Sequence, residues 1–219
     1  MTGAPSLAKP TTKGDATRGE LKRAARRLFA ERGIAAVGMR DILDAAGQRN
    51  AAAVHYYFGG KDELLRELVV DGARGIEARR AAMLVTAEAA GVTLDSVVRA
   101  TFLPSVDPPG DLGEGETYLR FIGHLQAERR ALFEEAAGSI SPTYARCFDH
   151  IRRLLAPRPL AVINQRLLFA GLSVQAILEA REAALDGAAA HDHPYWTREG
   201  ALDAIVDAVK AILLGADAR

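Results

Sequence analysis

The sequence predicts an all-α protein, and three features support that prediction. The 219 residues contain no runs of alternating apolar and polar residues rich in Val, Ile and Thr, which are typical of half-buried strands. Alanine, the residue with the highest helix propensity, is abundant. Apolar residues recur at helical spacing, and glycine or proline separates many of the periodic segments. We expect helices near residues 17–32, 39–46, 50–58, 61–89, 94–103, 117–136, 142–155, 159–186 and 198–214.

The first predicted helix, residues 17–32, is amphipathic and strongly basic. Gly33 follows it, as glycine often follows the last residue of a helix. The apolar stripe comprises Leu21, Ala24, Ala25, Leu28 and Phe29, and the basic residues are Arg18, Lys22, Arg23, Arg26 and Arg27.

Two short helices joined by a glycine-containing turn come next. The first begins at Met39 and ends before Gly47, and the second is capped by Asn50 and ends near Phe58. A helix, a turn of three or four residues with glycine, and a second helix form the helix-turn-helix pattern. This pattern predicts a DNA-binding unit, whereas an isolated alanine-rich helix is more often an ordinary packed helix.

The second of these helices has a slim outward face. At about 100° per residue, Val54 and Phe58 lie on the side that seats the helix, while Ala52 and Tyr56 lie opposite, near Arg49 in the turn. Small side chains allow a helix to enter the major groove, where an arginine can bond guanine.

Charge is divided unevenly along the chain. Residues 1–62 hold 11 Lys and Arg against 6 Asp and Glu, whereas residues 63–219 hold 17 against 22, so the formal net charge is zero. A basic N-terminal segment favours a polyanionic partner, and an acidic remainder directs the basic end towards it.

The segments LKRAARRLFAERGI and GMRDILDAAGQRNAAAVHYYFGGKDELL resemble the DNA-binding region of the TetR family of bacterial transcriptional regulators. The resemblance covers residues 17–66 and implies an all-helical homodimer that binds a palindromic operator and is released by a small molecule. It implies phosphate contacts by Arg40, Tyr57 and Lys61. The predicted DNA-binding residues are Arg40, Gln48, Arg49, Asn50, Ala52, Ala53, His55, Tyr56, Tyr57 and Lys61.

Two departures from the family pattern concern the same region. Gly38 stands where a threonine is common, so a backbone amide is expected to replace that phosphate contact. The segment from Gly47 to Phe58 is one residue longer than the commonest spacing, and His55 stands where tyrosine is frequent. The turn is therefore of a variant type.

The predicted domain organisation has three parts. Residues 1–15 form a flexible arm, residues 16–62 a three-helix DNA-binding domain, and residues 63–219 a helical domain for effector binding and dimerisation. The helices predicted at 159–186 and 198–214 are apolar over a wide arc, which indicates burial on more than one side. We expect them to form the interface of a homodimer. The two recognition helices of such a dimer contact the two halves of a palindrome, whose centres are separated by one or more turns of DNA, in steps of ~34 Å.

An effector pocket needs apolar walls and a few polar groups. Aromatic residues at helical spacing are more often plain core, and a buried histidine more often bonds a carbonyl than a ligand. The loop at 104–116 is either a solvated connection or a lid. The candidate pocket residues are Phe102, Phe121, His124, Leu125, Phe133, Cys147, Phe148 and Phe169.

Other functions have weaker support. His191, Asp192 and His193 invite a metal interpretation without a third helical ligand, and Cys147 with His150 is a weak dyad. No enzyme activity, cofactor or metal is therefore expected. With no apolar run of ~18 residues and no secretory signal, we expect a cytoplasmic protein without a membrane partner.

The prediction is thus a sequence-specific regulator, a repressor released from its operator DNA by a small apolar or amphipathic effector. The alternative is a helical small-molecule-binding protein that does not bind DNA.

Overall fold

A computed structural model of the protein describes residues 13–48, 53–106, 117–138, 142–186 and 193–215. Within these ranges the chain forms ten α-helices, one 3-10 turn at Leu103–Ser105 and no strand, which confirms the all-α prediction. The helices are α1 (Lys13–Arg32), α2 (Met39–Ala45), α3 (Ala53–Phe58), α4 (Lys61–Ala90), α5 (Leu94–Phe102), α6 (Tyr118–Glu128), α7 (Arg130–Ala137), α8 (Pro142–Leu154), α9 (Leu160–Leu185) and α10 (Ala201–Leu214).

The first hydrophobic core lies beneath the helix-turn-helix. It joins α1, α2 and α3 to the first half of α4, and its fully buried members include Leu21, Phe29 and Ile42. Residues of α6 belong to the same core, because Phe121 and Leu125 are fully buried against α1. The N-terminal helices are therefore packed directly on part of the C-terminal region.

The second hydrophobic core is formed by the last third of α4 with α5, α8, α9 and α10. It contains Leu84 of α4, Val97 of α5 and Ile151 of α8, all fully buried. Helices α9 and α10 pack against each other along their length, and α10 also contacts α5. The long helix α4 contributes to both cores and so connects the two ends of the molecule.

Two helix boundaries differ from the sequence prediction. Helix α1 begins at Lys13, inside the segment predicted to be an arm, and residues 1–12 lie outside the described ranges. The single helix expected at 117–136 is two helices, because Arg129 has φ −141° and ψ 48° and interrupts the helical path. Arg129 donates to Asp62 at the start of α4 at 2.8 Å, and neither glycine nor proline marks the break in the sequence.

Candidate nucleic-acid interface and internal cavities

Helix α2 is seated by its apolar side and presents a basic residue to solvent. Ile42 and Leu43 are buried in the first core, whereas Arg40 is exposed. The Gly38 N–H donates to the Asp41 carboxylate at 2.7 Å, which satisfies one of the free amides at the start of the helix. That amide is thus occupied by Asp41.

The turn after α2 is built around a left-handed glycine. Gly47 has φ +65°, a conformation that residues with a side chain rarely adopt, and the Gln48 N–H donates to the Leu43 carbonyl at 2.9 Å. The Gln48 side-chain amide donates to Glu20 of α1 at 3.2 Å, which fixes the turn to the first helix. Arg49, Asn50 and Ala52 lie outside the described residues, so the predictions made for them stay predictions.

Helix α3 carries an exposed tyrosine above a buried phenylalanine. Tyr56 is 82% exposed and its ring meets that of Tyr57 edge-on at 5.1 Å, while Tyr57 is half-buried against the first core. Phe58 is buried, with the Arg18 guanidinium 5.1 Å from its ring centroid. Ala53 and His55 lie on α3, but their side chains are outside the described part.

Lys61, predicted to contact phosphate, is directed into the protein. Its Nζ donates to the carbonyls of Ile34 and Val37, at 2.6 Å each, and lies 5.5 Å from the ring centroid of Phe29. Burial, together with the nearby Arg129, lowers the pKa of this ammonium group. The side chain thus holds the turn between α1 and α2.

Several cations of the basic N-terminal segment bind partners within the protein. Arg18 pairs with Glu67 at 2.5 Å, and Lys22 bridges Glu67 and Asp71 at 2.8 and 2.7 Å. Arg26 is buried in the contact between α1 and α6. The positive charge counted from the sequence is therefore only partly available to an outside anion.

Glu128 at the end of α6 grips the same turn as Lys61 from the other side. Its carboxylate accepts the Ile34 N–H at 3.0 Å and the Ala35 N–H at 2.7 Å. Burial works to raise the pKa of Glu128, but these two backbone donors, together with the nearby His124 and Lys61, outweigh it and the pKa is lowered. The turn that leads into α2 is thus held by the C-terminal end of α6.

The other end of α6 is tied to α1 and α9. Arg26 of α1 donates to Thr117 at 3.0 Å, just before the first residue of α6. The buried Glu182 of α9 accepts the Leu119 and Arg120 N–H groups at 2.8 and 2.9 Å, and so caps the helix. Burial raises the pKa of Glu182, which these N–H donors oppose.

A partly open cavity of about 310 Å³ lies between α4, α6 and α9. Tyr118 of α6 crosses over Gly72 of α4 and donates to the Val69 carbonyl at 3.2 Å; a methyl group at Gly72 would lie about 2.1 Å from the tyrosine ring. The cavity wall is mostly apolar, with Arg80 as its charged residue among those described. Its lining includes Val69, Ile76, Arg80, Phe102, Tyr118, Ile122, Gln126, Phe133, Tyr144, Gly171, Val174 and Gln175.

A second cavity of about 430 Å³ lies between α8 and α9. Its described lining includes Phe148 and Arg152 of α8 together with Leu168 and Leu172 of α9. Four residues line both cavities: Gln126, Tyr144, Gly171 and Gln175. The two spaces therefore adjoin at the middle of α9.

The structure places the predicted pocket residues at several separate locations. Phe102 and Phe133 line the first cavity and Phe148 the second. Three others are fully buried core side chains that line neither cavity, and two are at least two-fifths exposed: Phe121, Leu125 and Cys147 in the first group, and His124 and Phe169 in the second. Helical spacing did not separate wall from core, whereas Arg80, Tyr144, Gln126 and Gln175 were missed because a polar residue within a helix gives no such signal.

Features that would favour catalysis are weak in the described residues. No group of three or more His, Cys, Asp and Glu side chains comes together there as a metal site requires; His191 and Asp192 lie outside these ranges. Burial raises the pKa of the Cys147 thiol, the opposite of what a nucleophile needs. The His150 ring lies 2.9 Å from Glu88.

The outward face of α9 is apolar along most of its length. Leu160, Leu168, Phe169 and Leu172 are 49–63% exposed, and the C-terminal half of the same face is made of alanines. Among the described helices, α9 alone is long and apolar enough to cross a membrane by length and composition, which is weak evidence because core helices of soluble proteins pass the same test. Its other face is packed in the second core.

Comparison with known proteins identifies the N-terminal region. Residues 21–68 match the family model of the bacterial regulatory proteins of the tetR family, and this segment contains α2, α3 and the turn between them. The fold is similar to that of the TetR family transcriptional regulator PfmR from Thermus thermophilus, with a TM-score of 0.53, 19% sequence identity, and coverage of 96% of this chain and 100% of that one. No curated protein matches the chain.

Proposed function

We propose that this chain, a member of the TetR family of DNA-binding transcriptional regulators by its N-terminal domain and its fold, is a dimeric repressor. Its α2–turn–α3 unit would bind operator DNA, and a small apolar or amphipathic effector in the cavity beneath α6 would release it. The observation that carries this proposal is the position of α6, whose two ends hold the DNA-binding helices while its middle lines the cavity.

Support for DNA binding comes from the exposed residues of the helix-turn-helix. Tyr56 projects from α3 and Arg40 from α2, both into solvent. Arginine and tyrosine are frequent donors to phosphate oxygens, and the major groove admits an α-helix. Residues 16–62 are the proposed DNA-binding domain and residues 63–219 the proposed effector and dimerisation domain.

Support for a dimer comes from the outward face of α9; the contribution expected of α10 stays a prediction. Large exposed side chains occupy the N-terminal half of α9, at Leu168 and Leu172, while small ones occupy the C-terminal half, at Ala176, Ala180 and Ala183. A twofold axis that pairs α9 antiparallel with its copy sets the leucines of each protomer against the alanines of the other. An exposed apolar surface of this kind is typical of a protein interface.

Support for effector control comes from the mechanical connections of α6. Tyr118, Leu119 and Ile122 line the cavity, so a ligand that displaces them moves the helix. At one end that movement reaches α1 through Arg26, and at the other end it reaches the α1–α2 turn through Glu128. An effector that prefers the displaced position by ~2.7 kcal/mol lowers DNA affinity ~100-fold.

The full chain is tested for binding to the DNA that flanks its gene by fluorescence anisotropy at several salt concentrations. We expect affinity to fall steeply with salt, because phosphate contacts release counterions. A helical carrier without DNA function would show no salt-sensitive binding to any flanking segment, and that result would reject the proposal.

A further inference from the structure

We propose that the two cavities form one binding channel, open at Gly171, for an elongated apolar molecule that carries a neutral or anionic oxygen-bearing end. This inference rests on the proposed function only in taking the cavities as the effector site. Hydrophobic cations are not ligands of the proposed channel.

Continuity of the channel follows from the residues that the cavities share. The first cavity lies between α4, α6 and α9, and the second lies between α8 and α9. Gln126, Tyr144, Gly171 and Gln175 belong to both walls. A binding site that extends through both cavities is longer than either one, which favours a chain-like ligand over a compact one.

Gly171, which has no side chain, is the smallest residue where the two cavities meet. A methyl group built on it meets no atom within 4 Å, so the space beside it is open. Glycine inside a helix costs about 1 kcal/mol relative to alanine. No packing contact at this position offsets that cost. The absence of a side chain leaves an open passage beside the middle of α9.

The charged groups of the channel are arginines. Among the described residues, Arg80 is the charged member of the first wall and Arg152 of the second. Their carboxylate partners, Glu77 at 2.7 Å and Asp149 at 2.8 Å, are not part of either wall. The charged side chains that a ligand meets are therefore guanidinium groups, which donate hydrogen bonds to carboxylate, carbonyl or hydroxyl oxygens and have no acceptor atom to offer a cation.

Two aromatic rings of the channel are already covered by arginine. The Arg80 guanidinium lies 4.7 Å from the ring centroid of Tyr144, and that of Arg152 lies 5.9 Å from the ring centroid of Phe148. Cation–π recognition requires a free ring face within about 6 Å of the charge. The channel thus lacks at these two rings the feature that a quaternary ammonium ligand would use.

The test uses three probes with the same twelve-carbon chain, dodecanoate, dodecanol and dodecyltrimethylammonium, each titrated calorimetrically into the full chain below its solubility limit or micelle concentration. We expect dodecanoate and dodecanol to bind, and dodecyltrimethylammonium to bind at least about tenfold more weakly. Equal or tighter binding of the cation overturns the ligand class. Failure of all three probes to bind overturns the inference as a whole.

The passage is tested with Gly171→Leu and, as a matched control, Gly171→Ala. The leucine closes the junction, so we expect dodecanoate affinity to fall about tenfold or more, while the alanine variant stays within about threefold of the parent chain. Far-ultraviolet circular dichroism and thermal melts check that both variants are folded, which a residue of higher helix propensity favours. Unchanged dodecanoate binding in folded Gly171→Leu overturns the channel.

Salt-dependent DNA binding is measured in parallel on the same samples. If DNA binds but no probe does, the inference fails and the proposed DNA function stands. If dodecanoate binds and the chain shows no affinity for DNA, the channel stands and the proposed function fails.

Discussion

Glu128 and Lys61 hold one short turn from opposite helices, the carboxylate binding its amides and the ammonium its carbonyls. The turn leads from α1 into α2, and therefore sets where the helix-turn-helix begins. Lys61, just after the third helix, was predicted to contact phosphate because the sequence shows its charge. The sequence does not show that the carbonyls of Ile34 and Val37 lie within hydrogen-bond distance of its ammonium group. Tyr56, in contrast, lies on the outward face that its helical spacing predicted.

Replacement of Glu128 by glutamine tests the hydrogen bonds of its carboxylate to the turn, through the pH dependence of the free energy of unfolding. The lowered pKa of Glu128 means that its stabilising contribution is present above the ordinary value of 4.5 and is lost as pH falls through the folded-state value. At pH 7 we expect Glu128→Gln to lower the free energy of unfolding by about 1 kcal/mol. Urea unfolding should show this difference shrinking below pH 4.5, and a difference that stays constant down to pH 3 would contradict the assignment.

Arg40 is an exposed side chain on α2 that is predicted to contact phosphate. Loss of a single phosphate contact weakens binding similarly for all DNA sequences and lowers the salt slope by about 1. We expect Arg40→Ala to behave in this way in anisotropy titrations. Arg153→Ala, which removes an exposed arginine from α8, serves as the control and should leave the slope unchanged. Equal effects of the two variants would show only a general loss of charge.

At the scale of whole elements, helical spacing located every helix of the described chain within a few residues, except where α6 and α7 separate. That break depends on the backbone of Arg129 and on its pairing with Asp62, which is distant in the sequence, so no local pattern predicts it. The apolar arc of α9 was visible in the sequence. Which part of that arc faces the core and which faces solvent was settled only by the packing of α10, α6 and α8.

The outward face of α9 is predicted to hold two protomers together. A charge at Leu172, which is 63% exposed, places an unpaired carboxylate in the proposed interface. We expect Leu172→Glu to convert a dimer to a monomer in light scattering coupled to size exclusion. Val85→Glu, at a residue of α4 that is 60% exposed, is the matched control and should remain dimeric.

The alternative for α9 is insertion in a lipid bilayer, which its length and composition alone would permit. A parent chain that is monomeric at micromolar concentration and floats with phospholipid vesicles would contradict the dimer face. A dimer that stays in the soluble fraction is the expected result.

At the scale of the whole molecule, the two cores are linked by α4 and by α6. Helix α6 is held to α1 by the buried bond from Arg26 to Thr117, two residues 91 positions apart in the chain, and to α9 by Glu182, which accepts the Leu119 and Arg120 N–H groups. A double-mutant cycle with Arg26→Met and Thr117→Val should give an interaction energy of about 1 kcal/mol in unfolding experiments. Additive effects of the two changes would mean that this bond does not couple the helices.

The sequence predicted the helices of the helix-turn-helix better than it predicted the residues that line the cavities. A helix-turn-helix is local, so the spacing of Gly38, Met39 and Gly47 already defines it. The cavity is assembled from residues of α4 to α9, and its walls depend on helix crossings such as Tyr118 over Gly72. No short-range pattern records those crossings, which is why the predicted aromatic residues are divided between wall, core and surface.

The central claim is that the full chain reads DNA as a symmetric dimer through α2 and α3. Selection of bound duplexes from a randomised pool tests it most directly. The account predicts an enriched inverted repeat whose half-site centres are separated by one or more helical turns, in steps of ~34 Å, and which Arg40→Ala binds more weakly. Recovery of unenriched DNA, or of a single half-site without symmetry, would contradict it.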